Sequence, residues 1–170
     1  MKNDTTLIRN AAVAFHGAPA DFDAVLKRAE GKRVVLLGEA SHGTHEFYRI
    51  RAEITKRLIS EQGFNAVAVE ADWPDAHRIN TYVRGTGLDS DAVEALGGFL
   101  RFPQWMWRNT DVLDFIGWLR NWNCLGDDSY VVKIACCGTL GGCSAPGQCF
   151  QIDFEQIGSS RGTVHIPVIL

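Results

Sequence analysis

The chain has 170 residues, of which 46% are apolar and 22% are charged, and its formal net charge at pH 7 is −3. These values are typical of one globular domain with a sizeable core. Basic residues are spread among acidic ones, which argues against a nucleic-acid partner. No apolar stretch approaches the ~18 residues of a transmembrane helix, and residues 1–9 contain no apolar signal-peptide core. We therefore expect a cytoplasmic protein that does not contact membranes.

Two amphipathic helices are predicted within residues 1–32. The apolar stripe of the first comprises Leu7, Ala11, Ala14 and Phe15. The second begins at residue 21 or 23, ends before Gly31, and turns Phe22, Val25, Leu26 and Ala29 inward. Neither segment carries a catalytic signal, and His16 is interpreted as a boundary residue of the first helix.

Residues 34–51 organise the rest of the chain. The apolar run 34–37 predicts a buried strand of an α/β fold, and the polar turn 38–44 follows it. Ser41 or Thr44 is the expected N-cap of a helix that extends to about residue 61. The core face of that helix is predicted to hold Phe47, Ile50, Ile54 and Leu58.

The polar turn places a carboxylate and an imidazole, Glu39 and His42, where a strand passes into a helix. Ligands bind at the carboxyl ends of the strands in open α/β sheets. A histidine is the natural general base near pH 7, and a nearby carboxylate would orient its ring. The alternative interpretation is that Glu39 binds loop amides while the histidines of the turn are solvated.

A second apolar strand is predicted at residues 65–70 and ends in Glu70. Because one helix separates it from the first strand, the two form a parallel βαβ unit and are expected to be neighbours in the sheet. Neighbouring strands lie ~4.8 Å apart. We therefore predict that the side chains of Glu39, His42 and Glu70 lie at one sheet edge, within about 10 Å of one another.

Helices are predicted at about 74–84, at 89–95 and from Asn109 or Thr110 to about 122, and a third strand at 130–135. Between them, residues 99–107 contain four aromatic side chains. This stretch could line a pocket for a large apolar ligand or pack under the sheet. His77 is predicted to be solvated.

Three segments carry a resemblance to a known family: GEASHGTHEFYRIRAEITKRLI, VAVEADWPDAHRINTYVRG and FPQWMWRNTDVLDFIGWLR. They resemble the erythromycin esterase family of macrolide-lactone hydrolases over about residues 10–122. The resemblance implies that His42 activates water to attack a lactone carbonyl, and that Glu39, Arg51 and Glu70 belong to the active-site cleft. It also implies an antibiotic-resistance function.

The chemistry so implied is ester hydrolysis without a covalent intermediate. Glu39 or Glu70 would stabilise the His42 imidazolium, and Arg51 would stabilise the oxyanion or anchor the substrate. No G-x-S-x-G elbow is present. We favour a mechanism without a metal or cofactor, with a divalent cation near His42, His45 and Glu70 as the alternative.

The expected partner is a small-molecule ester or lactone. Five further residues are predicted to contact it: His45, Asp72, Trp73, Trp105 and Trp107. The fold class predicted for residues 1–122 is α/β, a parallel βαβ sheet flanked by helices, and we expect it to be a truncated, N-terminal part of the family's fold.

Residues 123–170 are interpreted as a divergent tail that holds all five cysteines, namely Cys124, Cys136, Cys137, Cys143 and Cys149. Three interpretations of it compete: a frameshifted, truncated or disordered end, a genuine short variant, and a cysteine-based metal or redox module. In a reducing cytoplasm free thiols are expected. The alternative to an esterase, impaired or not, is therefore a non-catalytic fragment that self-associates through an uncovered sheet edge.

Overall fold

The computed structural model describes residues 4–101, 104–126, 131–136 and 166–169. The helices in this part of the chain are α1 (Asp4–Ala11), α2 (Asp23–Ala29), α3 (His45–Gln62), α4 (Trp73–Val83), α5 (Ala92–Ala95) and α6 (Thr110–Leu125). The strands are β1 (Val34–Leu37), β2 (Ala66–Val69), β3 (Lys133–Cys136) and β4 (Ile166–Ile169). Short 3₁₀ turns occur at Pro19–Phe22, Leu96–Gly98 and Gln104–Met106.

The four strands form one sheet in the order β1-β4-β2-β3, and every pairing is parallel. Helices α3 and α4 contact the sheet, and α6 packs against both of them. The predicted α/β class with a parallel sheet flanked by helices is therefore confirmed. The predicted third strand is also present, as β3.

The prediction that the first two strands are neighbours in the sheet is wrong, because β4 lies between β1 and β2. Leu37 of β1 and Val69 of β2 both pair with Ile169 of β4, so the two strands end at the same level of the sheet. Their ends are separated by two strand spacings of about 4.8 Å each. The carboxyl ends therefore still share one edge, although the gap between them is wider than predicted.

The core lies between the inner strands and the helices α3, α4 and α6. All four residues of β2 are buried, as expected for a strand covered on both faces. Fully buried side chains include Leu58 of α3, Ile79 of α4 and Leu119 of α6. These side chains belong to one contiguous apolar cluster that also reaches Ile134 of β3.

Strand β1 departs from its predicted burial. Val34 and Leu36 are 50% and 64% exposed, whereas Val35 and Leu37 pack against the core. Alternate residues of a strand face opposite sides of a sheet, so the described part of the chain covers only one face of β1. The prediction of a buried strand is therefore wrong for the other face.

The N-terminal helix also differs from its prediction. Helix α1 ends at Ala11, before Ala14 and Phe15, and it has no buried residue. Its apolar stripe includes Leu7, which is 54% exposed, because the short helix finds no packing surface in the described part of the chain. By contrast, the predicted inward residues of α2 include Phe22, Leu26 and Ala29, and all three are buried.

Most of the cysteine-rich tail lies outside the described residues, so the frameshift, disorder and cysteine-module interpretations stay predictions. Cys124, at the end of α6, is exposed and has a free thiol. Among the residues that the structure describes, no helix is both long and apolar enough to cross a membrane.

Candidate active site

The turn after β1 holds the predicted acid and imidazole in direct contact. Glu39 Oε1 lies 2.5 Å from His42 Nδ1. The Glu39 side chain is only 3% exposed, whereas that of His42 is 49% exposed. Because an ionised carboxylate can only accept hydrogen bonds, the shared proton belongs to Nδ1. When the ring is neutral, His42 Nε2 is left with the lone pair that a general base needs.

Arg51 contacts the other side of the same carboxylate. Its Nη2 lies 3.0 Å from Glu39 Oε2, and its side chain is 11% exposed. The guanidinium carbon also lies 5.1 Å from the centre of the Tyr48 ring. Burial lowers the pKa of Arg51, and the Glu39 carboxylate opposes that shift. Arginine is not deprotonated in proteins, so the guanidinium keeps its charge.

The conformation of the turn depends on a glycine and on an aromatic side chain that packs against it. Gly43 has φ +80°, a left-handed backbone conformation that residues other than glycine rarely adopt. The Gly43 N–H donates to the Tyr48 hydroxyl at 3.2 Å, and the Trp105 ring packs directly on the Gly43 backbone. His42 and His45 flank Gly43 in the chain, and His45 is the first residue of α3.

An apolar cavity lies beside the Glu39–Arg51 pair. The space in it that the centre of a water molecule can reach is about 70 Å³, and all empty space out to the open solvent amounts to about 700 Å³. The charged residues in its wall include Glu39, Arg51 and Glu70, so the carboxylates that follow β1 and β2 share one cavity. Its apolar wall consists of Ala52, Val69, Ile79, Met106, Trp107, Val112, Phe115, Ile116 and Ile134.

A second, more open cleft adjoins this cavity. Both histidines of the turn line it, together with Trp105 and Asn109. Tyr48 and Asp111 line both the cavity and the cleft, so the two spaces share a wall.

A second imidazole–carboxylate pair stands in this cleft. His45 Nδ1 lies 2.7 Å from Asp111 Oδ2, with side-chain exposures of 62% and 12% respectively. Asp111 belongs to the first turn of α6, whose N-cap Asn109 accepts a hydrogen bond from the Val112 N–H.

Two predicted site residues lie away from both spaces. The Asp72 carboxylate pairs with Arg101 at 3.4 Å, and both side chains are exposed. The Trp73 ring stacks on His77, with the ring centres 4.8 Å apart. Neither Asp72 nor Trp73 lines the cavity or the cleft, and their predicted contact with substrate stays a prediction.

Sequence reasoning did not assign a site role to Asp111 or Tyr48. Asp111 is 66 positions from its partner His45, and no local pattern could have linked them. Tyr48 was missed because the predicted core face of its helix contained Phe47, Ile50, Ile54 and Leu58 but not Tyr48. The aromatic residues of the stretch 99–107 have different positions. Trp105 lines the cleft and Trp107 lines the cavity. Phe99 is buried and stacks on Trp107, with 4.9 Å between the ring centres.

The alternative metal site near His42, His45 and Glu70 stays a prediction. In the part of the chain that the structure describes, no three His, Cys, Asp or Glu side chains are grouped as a metal ion would require. His42 and His45 instead direct their Nδ1 atoms at separate carboxylates.

The chain is similar to known proteins over part of its length. Residues 59–135 match the erythromycin esterase family. The resemblance predicted from the sequence is therefore confirmed as a partial match. The matched segment begins inside α3 and ends within β3, beyond the predicted limit near residue 122. It does not include the turn that holds Glu39 and His42.

Individual relatives agree with this family. Erythromycin esterase type II of Escherichia coli is 32% identical over 106 residues, which are 61% of this chain and 23% of that protein. YbfO of Bacillus subtilis strain 168, whose name provisionally describes it as a hydrolase, is 25% identical over 67% of this chain and 24% of its own length. The chain thus spans about a quarter of the length of these curated relatives.

Two solved structures share the fold. A Bacillus cereus protein superposes with a TM-score of 0.58 and 24% identity, over 72% of this chain and 28% of that one. A succinoglycan biosynthesis protein superposes with a TM-score of 0.57 and 21% identity, over 69% and 28% respectively. At these identities the likeness concerns the fold alone.

Proposed function

We propose that this chain carries the hydrolytic centre of an esterase of the erythromycin esterase type, which opens a macrolide lactone or a related ester by adding water. The observation that carries the proposal is the continuous contact from His42 through the buried Glu39 carboxylate to Arg51 at the wall of an apolar cavity. The family match supports the same reaction class.

In the proposed reaction, His42 Nε2 takes a proton from water as the oxygen adds to the ester carbonyl carbon. Glu39 keeps the ring in the required tautomer and stabilises the imidazolium that forms. The Arg51 guanidinium stabilises the negative charge that develops on the carbonyl oxygen. The apolar wall of the cavity holds the hydrocarbon part of the substrate, and Glu70 provides a second carboxylate there.

The proposed mechanism uses no metal, because side chains fill the roles of base, orienting acid and oxyanion partner. Opening a macrolide lactone would inactivate the antibiotic, so a resistance function is part of the proposal. A cytoplasmic location stays a prediction.

The proposal is tested by hydrolysis of a macrolide lactone and of a p-nitrophenyl ester. We expect His42→Gln to lower kcat/KM at least ~100-fold on each substrate that the wild type hydrolyses, which is the contribution typical of a general base. His77→Gln is the matched control, since His77 is exposed and lies outside both spaces. Full activity of His42→Gln, or no hydrolysis by the wild type, would reject the proposal.

A second candidate function is association without catalysis. Val34 and Leu36 form an exposed apolar face on β1, which is an edge strand of the described sheet. Such a face is a place where another chain could pack. Sedimentation of the wild type beside a Leu36→Lys variant tests it: a dimer that the substitution dissociates supports association, and a monomer in both rejects it.

A further inference from the structure

Two imidazole–carboxylate pairs, rather than one, have their imidazole rings in the cleft. His42 with Glu39 supplies the base of the proposed function, whereas His45 with Asp111 has no role in it. Both histidines line the same cleft. In each pair the carboxylate contacts Nδ1 and is far less exposed than the ring, at 3% for Glu39 and 12% for Asp111.

Ester hydrolysis needs two proton transfers at different atoms. A proton leaves the attacking water, and another reaches the oxygen of the departing alcohol. An alkoxide is a poor leaving group until it is protonated, so an acid placed near this oxygen accelerates the cleavage step.

We propose that His45, held by Asp111, is the acid that protonates the departing alcohol; this inference rests on the proposed function. In its doubly protonated form, His45 keeps its Nδ1–H on the Asp111 carboxylate and presents its Nε2–H as the donor. Because the His45 ring is 62% exposed, it can regain a proton from solvent between turnovers.

The step balances in atoms and charge. After His42 has taken a proton from water, the hydroxide oxygen is bonded to the carbonyl carbon in a tetrahedral intermediate. The carbon–oxygen bond to the alcohol then breaks as His45 Nε2 gives its proton to that oxygen. The products are a carboxylic acid and an alcohol. His42 then gives its extra proton to solvent, and His45 takes one from solvent.

The test compares two esters of one carboxylic acid, the p-nitrophenyl ester and the ethyl ester. Nitrophenolate leaves without protonation, whereas ethoxide does not. We expect His45→Gln and Asp111→Asn each to lower kcat/KM about 100-fold on the ethyl ester and less than about threefold on the p-nitrophenyl ester. Asp114→Asn is the matched control, since Asp114 is an exposed carboxylate of the same helix.

Each other outcome has one meaning. Equal losses on both esters, or no loss on the ethyl ester, would overturn the role of His45 and leave the proposed function intact. Wild-type hydrolysis of the p-nitrophenyl ester alone would do the same, because no leaving-group acid would then be operating. No hydrolysis of either ester by the wild type would reject the proposed function itself.

Discussion

At the scale of single residues, Glu39 is the group on which the site depends. One nearly buried carboxylate contacts an imidazole through one oxygen and a guanidinium through the other. Burying a charge is costly unless it is paired, and removing one partner of a buried ion pair typically costs ~3–5 kcal/mol. The position of His42 is therefore tied to that of Arg51, although they lie on a turn and a helix.

Gly43 makes this turn possible, and we predict distinct effects for two alanine substitutions. Gly43→Ala and Gly63→Ala both place a side chain at positive φ, +80° and +72°, so each should lower the free energy of unfolding by about 1–2 kcal/mol. Only at Gly43 would the new methyl meet the Trp105 ring, at 3.0 Å. Gly43→Ala should therefore also lower kcat/KM about tenfold or more, since small displacements of reacting groups are costly.

Urea unfolding and hydrolysis rates of both variants check this prediction. Gly63 has no atom within 4 Å of the added methyl and closes α3 far from the turn, so it isolates the backbone effect. A Gly43→Ala protein with the wild-type rate would show that the packing of Trp105 on the turn does not position the histidines.

The contact between Glu39 and His42 could be predicted because three positions of one turn separate them. Arg51 could be placed in the site only through the family resemblance, since its residue type and helical position alone slightly favour a side chain that reaches solvent. Asp111 could not be predicted at all: its contact with His45 depends on how α6 packs against α3, which no short-range pattern encodes.

At the scale of elements, two asparagines tie strand β3 to the helices. Asn80 of α4 is buried, and its Oδ1 accepts from the Ile134 N–H at 3.0 Å. Asn123 of α6 donates to the carbonyls of Val83 and Val132, both at 2.9 Å, and accepts from the Val132 N–H at 2.8 Å. Ile134 belongs to the cavity wall, so these bonds also support the site.

We predict that Asn123→Ala lowers the free energy of unfolding by about 2–3 kcal/mol, because three hydrogen bonds to partly buried backbone groups are lost together. Asn121→Ala, at an exposed position of the same helix, should change it by less than ~0.5 kcal/mol. Chemical denaturation of both variants measures the difference. Equal stability of the two would mean that Asn123 does not link α4, α6 and β3.

The helices and three strands follow from local pattern, whereas the order of the sheet does not. Periodicity and caps predicted α3, α4 and α6 to within about three residues, and the Asn109 cap is present as expected. The position of β4 between β1 and β2 required knowledge of a pairing across more than 90 residues of sequence. Parallel strands are joined by long connections, so short-range sequence patterns do not determine the order of the strands.

At the scale of the whole molecule, the proposed centre is built from distant parts of the chain. The cavity wall includes residues of the turn after β1, of α3, α4 and α6, of the end of β2 and of β3. This chain spans about a quarter of the length of its curated relatives. The proposed base, its acid and the proposed oxyanion partner all belong to the present chain.

The most direct test of that account is a double-mutant cycle on ester hydrolysis, with kcat/KM measured for wild type, His42→Gln, Glu39→Gln and the combined variant. If Glu39 acts through His42, each single substitution should cost at least ~100-fold, and the combined variant should be no more than a few times slower than His42→Gln alone. Losses that multiply in the combined variant, or a Glu39→Gln protein with the wild-type rate, would contradict the account.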